Sequence, residues 1–338
     1  MRYSRVCIEA VSYALPSTVV TTASLEDALT PLYKRMGIAP GAIQSLTGIA
    51  ARRFWDVGVR PSDAATLAAE KALAEAKFDR GDLEVLVSCS VCKDYLEPST
   101  ASLVHGNLKL GQHCLNFDIG NACLGFMTGM ATVSNMIELG QIKAGLVVAG
   151  EGSRAVTEAT MERLSKPGVA FGAYRDNLAT LTLGSGAAAM LLVHESIATN
   201  GHRLLGGAAD AATEFNKLCV GTDTSMKTDP AKLLREGVKL AAQTWERTQL
   251  ELDMGANDFA ELALHQVGKA NHDSVLQALR LPPNRALRIY PELGNMGAAG
   301  VPLTLAKTIE MGRLTPGNNA ALMGIGSGLN CQMMGVSW

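Results

Sequence analysis

Residues 114–140 read CLNFDIGNACLGFMTGMATVSNMIELG. A short β-rich run, 114–119, meets the turn Gly120-Asn121-Ala122-Cys123, and a helical pattern then runs from about 124 to 139 and stops at Gly140. A strand that turns through small residues into a helix holds its turn side chain in the open. It also aims the free N–H groups of the helix start at that side chain. For a cysteine this placement favours thiolate over thiol, which makes Cys123 a candidate nucleophile. The plain alternative is a buried cysteine in a packed Gly-Ala turn, the commoner fate of a lone cysteine.

Working outward, β-rich runs alternate with helical patterns, the signature of α/β layers. Ser62 and Asp63 are expected to cap a helix through residue 78, followed by a buried strand at 85–91 and a helix at 99–110. After the quoted stretch come a buried strand at 145–149 and the least periodic segment, 153–177. That segment reads as a loop-and-helix excursion over a substrate site. Strand character resumes at 181–193 with Gly184-Ser185-Gly186 inside it. The second half repeats the grammar: a strand at 203–211, a long helix at 229–248, and a strand at 262–266. Asn271 is expected to cap a helix to 281, 286–290 reads as a strand, and 318–323 with 332–338 as a closing hairpin.

A repeat lies within this pattern. Ile137-Glu138-Leu139-Gly140 precedes the apolar run 145–152, and Ile309-Glu310-Met311-Gly312 precedes 320–326. The two preceding helices each start just after a Gly-Asn pair, Gly120-Asn121 and Gly294-Asn295. Matching units half a chain apart point to an internal duplication, with halves 1–196 and 197–338. Cys123 and Asn295 then stand at corresponding helix starts.

A chain of 338 residues, 47% hydrophobic and 18% charged, has ample apolar content for two packed halves. A net charge of −2 leaves no footprint for nucleic acid or an anionic membrane, and 5% aromatics offers few stacking platforms. Arg2 and Arg5 precede an apolar stretch interrupted by Glu9 and Ser12, a poor signal peptide, and no run reaches membrane-spanning length. Seven cysteines at irregular spacing imply a reducing cytoplasm and no disulfide framework. Cys89 and Cys92 form a C-x-x-C with no second pair to complete a zinc site, so strand-end packing is the expected role.

His265 follows the apolar run Leu262-Ala263-Leu264, where a strand should end, and strand ends are where open α/β sheets bind ligands. His105, His113, His194, His202 and His272 lack that placement with flanking Gln266 and Gly268. Asn295 starts a helix after Gly294, a position that also suits a simple turn or N-cap. Gly324-Ile325-Gly326-Ser327-Gly328 lacks the lysine of a nucleotide loop and better fits close backbone approach to an acyl oxygen.

Taken together, Asn121-Ala122-Cys123, His265-Gln266, Gly294-Asn295-Met296-Gly297 and Gly326-Ser327-Gly328-Leu329-Asn330 resemble the thiolase superfamily in its ketoacyl synthase III branch. Within that branch the sequence is similar to the OleA-type acyl-thioester condensing enzymes. Arg52-Arg53-Phe54-Trp55-Asp56, Asp94-Tyr95-Leu96-Glu97-Pro98-Ser99-Thr100 and residues 324–330 carry this finer likeness, which runs nearly end to end.

The resemblance implies a five-layered αβαβα fold and a homodimer with the catalytic turn near the subunit interface. It implies that Cys123 carries an acyl group and that His265 and Asn295 hydrogen-bond an enolate oxygen. The N–H groups of Cys123 and of the Gly328 loop would stabilise the tetrahedral oxyanion. Glu97, supplied by the neighbouring subunit, would take the α-proton of a second acyl thioester; its plain alternative is an acid favoured at a helix start. The substrates implied are coenzyme A thioesters, with no metal or redox cofactor and with downstream enzymes that process a β-keto acid.

The runner-up is a decarboxylating 3-oxoacyl-acyl-carrier-protein synthase III, in which an ionised Glu97 would repel a malonyl carboxylate. A hydroxymethylglutaryl-type synthase is a weaker third. From other classes come a cysteine hydrolase and an inactive partner subunit of a condensing enzyme.

Overall fold

A computed structural model describes residues 1–338. Thr18–Thr21 pairs with Ala51–Phe54 and Cys219–Thr222 with Ser225–Thr228 as two separate ribbons, and the other nine strands form one sheet. The order is Glu261–Leu264, Asn319–Gly326, Asn330–Ser337, Arg203–Ala211, Val6–Ala14, Gly186–His194, Ala144–Glu151, Val85–Ser88 and Leu115–Asp118. The middle of this order is thin, since Val6–Ala14 and Arg203–Ala211 share the single pair Cys7–Arg203. Outward from that join the two sides match. Each runs through two antiparallel pairings and then a parallel one.

Alternation along the strands explains the layers. In Gly186–His194, Ala188, Met190 and Leu192 face one core, while Ala187, Ala189, Leu191 and Val193 face another. A strand buried on both faces needs apolar residues at every position. The second of these cores is closed by the helices Pro61–Ala76 and Thr100–Asn107, through Ala65, Ala69, Leu73 and Val104. The first contains the helices Gly125–Glu138 and Gly300–Glu310, and it also takes Ala320, Leu322 and Met334 from the other side of the sheet. Ala321, Met323 and Met333 face a third core under the helices Pro230–Leu252 and Lys269–Ala278. Helices, sheet, central helices, sheet and helices give five layers, the thiolase-like αβαβα arrangement.

The central helices enter their layer closely. A β-carbon on Gly125 would lie 2.4 Å from the carbonyl oxygen of Cys89. Alanine gains about 1 kcal/mol of helix propensity over glycine, but overpacking against backbone costs about 1–3 kcal/mol. Gly125→Ala is therefore expected to lower the urea midpoint, and an unchanged midpoint would mean that the helix has room to shift.

Several local expectations need correction. The helix from Pro61 is capped by Arg60, whose N–H donates to Asp63, so Ser62 lies inside it. Strand pairing from Val85 ends at Ser88. Gly184 and Ser185 precede the strand Gly186–His194, after a tight turn at Thr180–Thr182. The helix Lys269–Ala278 begins at Gly268, which puts Asn271 inside its first turn. Residues 286–290 make only the bridge Leu262–Ala286 before the short helix Tyr290–Leu293, whose second residue is Pro291. The 153–177 excursion consists of two helices, Arg154–Ser165 and Phe171–Asn177.

Candidate active site

Cys123 sits in the tight turn Ala122–Leu124, between the strand Leu115–Asp118 and the helix Gly125–Glu138. Ala122 holds φ +46°, a left-handed conformation uncommon for a residue with a β-carbon. Asn121 Nδ2 donates to Thr128 Oγ1 at 2.9 Å, and Asn121 Oδ1 accepts from Asn330 Nδ2 at 2.9 Å. That second bond ties the C-terminal glycine loop to the cysteine turn. A β-carbon on Gly326 would lie 3.0 Å from Asn121 O and from Leu124 N, so only glycine allows this approach without displacement. Gly328 stands between, at φ +144°.

Burial decides the state of the thiol. Removal from water, then the Glu151 carboxylate and Cys219, push Cys123 up to about 12, although its own backbone N–H acts the other way. The sequence led us to expect a thiolate favoured by the helix end. A helix terminus contributes about 0.3–1 kcal/mol, less than one pKa unit, and burial outweighs it. The resting group is a neutral thiol.

His265 comes directly after the strand Glu261–Leu264, and its N–H donates to Met323 O at 2.8 Å. The ring is 4% exposed, Nδ1 has no hydrogen-bond partner, and burial lowers its pKa to about 4. Imidazole here is neutral. Gln266 is fully engaged beside it: Nε2 donates to Leu287 O at 2.8 Å, and Oε1 accepts from Ile289 N and Tyr290 N at 2.9 and 3.1 Å. A small cavity of ≈ 10 Å³ opens beside His265 and is mostly apolar, lined by Ala241, Val275, Met323, Ile325 and Met333 among others.

Asn295 is buried, and its Oδ1 accepts from Gly297 N at 3.0 Å. The carbonyl end of the amide is thus used by the turn, which leaves Nδ2 as the end free to donate. The turn Gly297–Ala299 packs on the turn Ala122–Leu124, which also touches the strand Asn319–Gly326. A β-carbon on Gly300, just beyond, would lie 3.6 Å from His265 Nδ1. The structure brings Cys123, His265, Asn295 and the Gly328 loop together.

Glu97 is placed otherwise. It is exposed and makes no hydrogen bond. Its segment is nevertheless pinned. Asp94 accepts from Ser62 N and Oγ at 2.9 and 2.6 Å, the Arg60 guanidinium lies 4.6 Å over the Tyr95 ring, and Asp118 accepts from Thr100 N and Ala101 N. Leu96, next to Glu97, is fully exposed.

With this geometry in view, comparison with known proteins is informative. Residues 117–211 match the family model described as 3-oxoacyl-[acyl-carrier-protein] synthase III, and 251–338 match that of its C-terminal part. Over its whole length the chain is 41% identical to the acyl-CoA:acyl-CoA alkyltransferase of Xanthomonas campestris and 40% identical to that of Shewanella oneidensis, covering 100% of each. The chain belongs to the acyl-CoA:acyl-CoA alkyltransferase family. The solved structure of cerulenin-bound Xanthomonas campestris OleA superposes with a TM-score of 0.98, covering 100% of this chain and 98% of that one. A cysteine-to-serine variant of the same protein, with bound lauric acid and lauroyl-CoA, gives 0.97, covering 99% of this chain and 100% of that one.

For an alkyltransferase-family site, the residue that the sequence reading missed is Glu151. It closes the strand Ala144–Glu151, is 3% exposed, and accepts from Val91 N, Cys92 N and Ala298 N. Burial raises its carboxyl to about 6 against the pull of those N–H groups. The available signal was an acid ending a run of buried residues, which is costly unless it is satisfied. Cys89 is fully buried and Cys92 Sγ donates to Gly152 O at 3.3 Å, so the C-x-x-C packs at the strand ends. No group of His, Cys, Asp and Glu side chains is arranged to hold a metal ion.

Proposed function

We propose that this protein joins two fatty acyl-CoA thioesters in a non-decarboxylative Claisen condensation through an acyl group on Cys123. The convergence of the Cys123 turn, neutral His265, the Nδ2 end of Asn295 and the Gly328 loop carries this reading. Cys123 sulfur bonds to the acyl carbon, the C–S bond to coenzyme A breaks, and the thiol proton leaves with coenzyme A. Splitting a hard condensation in this way is the value of a covalent intermediate. The N–H of Cys123 and that of Gly328 stabilise the tetrahedral oxyanion.

A second thioester then loses its α-proton to Glu97. His265 and Asn295 Nδ2 donate to the enolate oxygen, where negative charge develops. The enolate carbon bonds to the Cys123-bound acyl carbon and expels the cysteine sulfur, which recovers a proton. The product is a 2-alkyl-3-oxoacyl thioester. No step in this sequence calls for a cofactor; coenzyme A enters as part of the substrate.

Glu97 lies outside its own protomer's cluster, which supports a homodimer in which each glutamate serves the partner's site. Fully exposed Leu96 and the edge strand Leu115–Asp118, with Leu115 57% exposed, suit such an interface. We divide the chain into halves at 196/197, near where the matched strand patterns meet. No helix is long and apolar enough to cross a membrane, and we place the enzyme in the cytoplasm, upstream of enzymes that process a β-keto acid.

The test is mass spectrometry with one long-chain acyl-CoA and no malonyl substrate. A 2-alkyl-3-oxo acid or its ketone is expected from wild type, and at least about 10²-fold less from Glu97→Ala. Carbon–carbon bond formation only on adding a malonyl thioester would replace this reading with the decarboxylating synthase. The inactive-subunit alternative finds little support, because every residue of the proposed chemistry is in place.

A further inference from the structure

Glu151 joins segments that are far apart in sequence. Its Oε1 accepts from Val91 N at 2.9 Å and from Ala298 N at 3.1 Å, and its Oε2 accepts from Cys92 N at 3.2 Å. Trp55 Nε1 donates to its backbone oxygen at 3.0 Å, and no basic side chain pairs with the carboxylate. Gly297, at φ +52°, lies so close that a β-carbon there would sit 3.1 Å from the carboxyl carbon. A buried carboxylate without a cation is expensive and is held here by three backbone N–H groups.

What those N–H groups lead to is the point. Ala298 belongs to the turn after Asn295, whose Oδ1 holds the neighbouring Gly297 N. Val91 and Cys92 open the pinned segment that ends in Glu97. We propose that Glu151 is a positioning residue for two active sites at once, fixing Asn295 in its own protomer and the Glu97 segment that serves the partner. This rests on the reading that Glu97 acts across a dimer.

The side-chain inventory gives a sharp perturbation. Glutamine keeps one acceptor oxygen and gains an NH₂ group. With its oxygen at the Oε1 position, the NH₂ faces Cys92 N; with its oxygen at the Oε2 position, the NH₂ faces Val91 N and Ala298 N. Either way a donor meets a donor on the 91–92 segment, so Glu151→Gln must loosen the Glu97 loop. Glu151→Ala releases both segments.

The experiment uses full-length mixed dimers, purified through two different tags, with lauroyl-CoA as the only substrate. Cys123 acylation is read by intact mass and condensation by product. The control pairs Cys123→Ala with Glu97→Ala, and recovered condensation establishes that Glu97 crosses the interface. Without recovery, both that reading and the coupling fall.

Given recovery, a wild-type protomer is paired with one carrying Cys123→Ala and Glu151→Gln. The expected result is normal acylation of the one remaining Cys123 but about tenfold slower condensation, compared with a partner carrying Cys123→Ala alone. A Glu151→Ala protomer paired with Cys123→Ala should lose condensation to a similar degree through its own Asn295. A purely structural role would lower acylation and melting temperature along with condensation. Condensation within twofold of the control in the first arm overturns the coupling, and a loss confined to the second arm reduces Glu151 to a role in one site.

Discussion

Cys123→Ala is expected to abolish the acyl-enzyme mass shift and to lower condensation by about 10⁴-fold or more, the scale of removing a covalent nucleophile. The unmodified thiol should show its burial directly. With the group held up at about 12, iodoacetamide should modify Cys123 at pH 7 more slowly than it modifies a free thiol, and the rate should climb past pH 10 without a plateau. A plateau near pH 7 would indicate an activated thiolate and overturn the neutral resting state. The same argument places activation inside the substrate complex. Binding an acyl thioester brings the carbonyl to the N–H groups of the turn, so negative charge passes from sulfur to an oxygen that already has donors waiting. In this scheme the enzyme needs no standing thiolate exposed to oxidation.

How the site was legible in sequence follows from what kinds of group build it. Cys123 stood out because the strand, the Gly-Asn-Ala turn and the helix around it are all local patterns. The approach of residues 326–330 was readable because glycines mark it. Glu151 was not, since its partners are backbone N–H groups at 91, 92 and 298, which carry no side-chain signature. The first strand, Val6–Ala14, shows the same limit in the fold. It lies mid-sheet, yet Glu9 and Ser12 interrupt its apolar run because each is buried against a polar partner, Thr199 and Glu75. Residues 286–290 erred the other way. Their β-rich composition predicted a strand, but Gln266 draws Ile289 and Tyr290 into a turn by accepting both N–H groups. In each case a side chain distant in sequence overrides local propensity.

His265 offers the second large effect, and the sign of its pH dependence can be worked out. Burial holds the folded-state pKa at about 4, against 6.5 for the ordinary group. Folding therefore favours the neutral ring. The stability this group contributes is complete above pH 6.5 and is lost as the pH falls toward 4, because the unfolded chain takes up the proton first. A shift of 2.5 units, 6.5 less 4, corresponds to about 3 kcal/mol. His265→Asn should therefore lose about 2–3 kcal/mol less than wild type between pH 7 and pH 4.5 in urea unfolding; identical losses would mean that the ring is solvated.

Catalysis should answer in parallel. Wild-type condensation is expected to show no histidine limb between pH 5.5 and 8. His265→Ala should slow condensation by about 10²–10³-fold, the scale of one lost donor at a developing oxyanion, while acylation of Cys123 falls less. The asymmetry is the informative part. A histidine acting as the base for the thiol would have to be protonated in the acylation step, against a burial cost that its surroundings do nothing to offset. A neutral ring that only donates meets no such cost and works at every pH where the protein is folded. An acylation defect as large as the condensation defect would return His265 to the role of base.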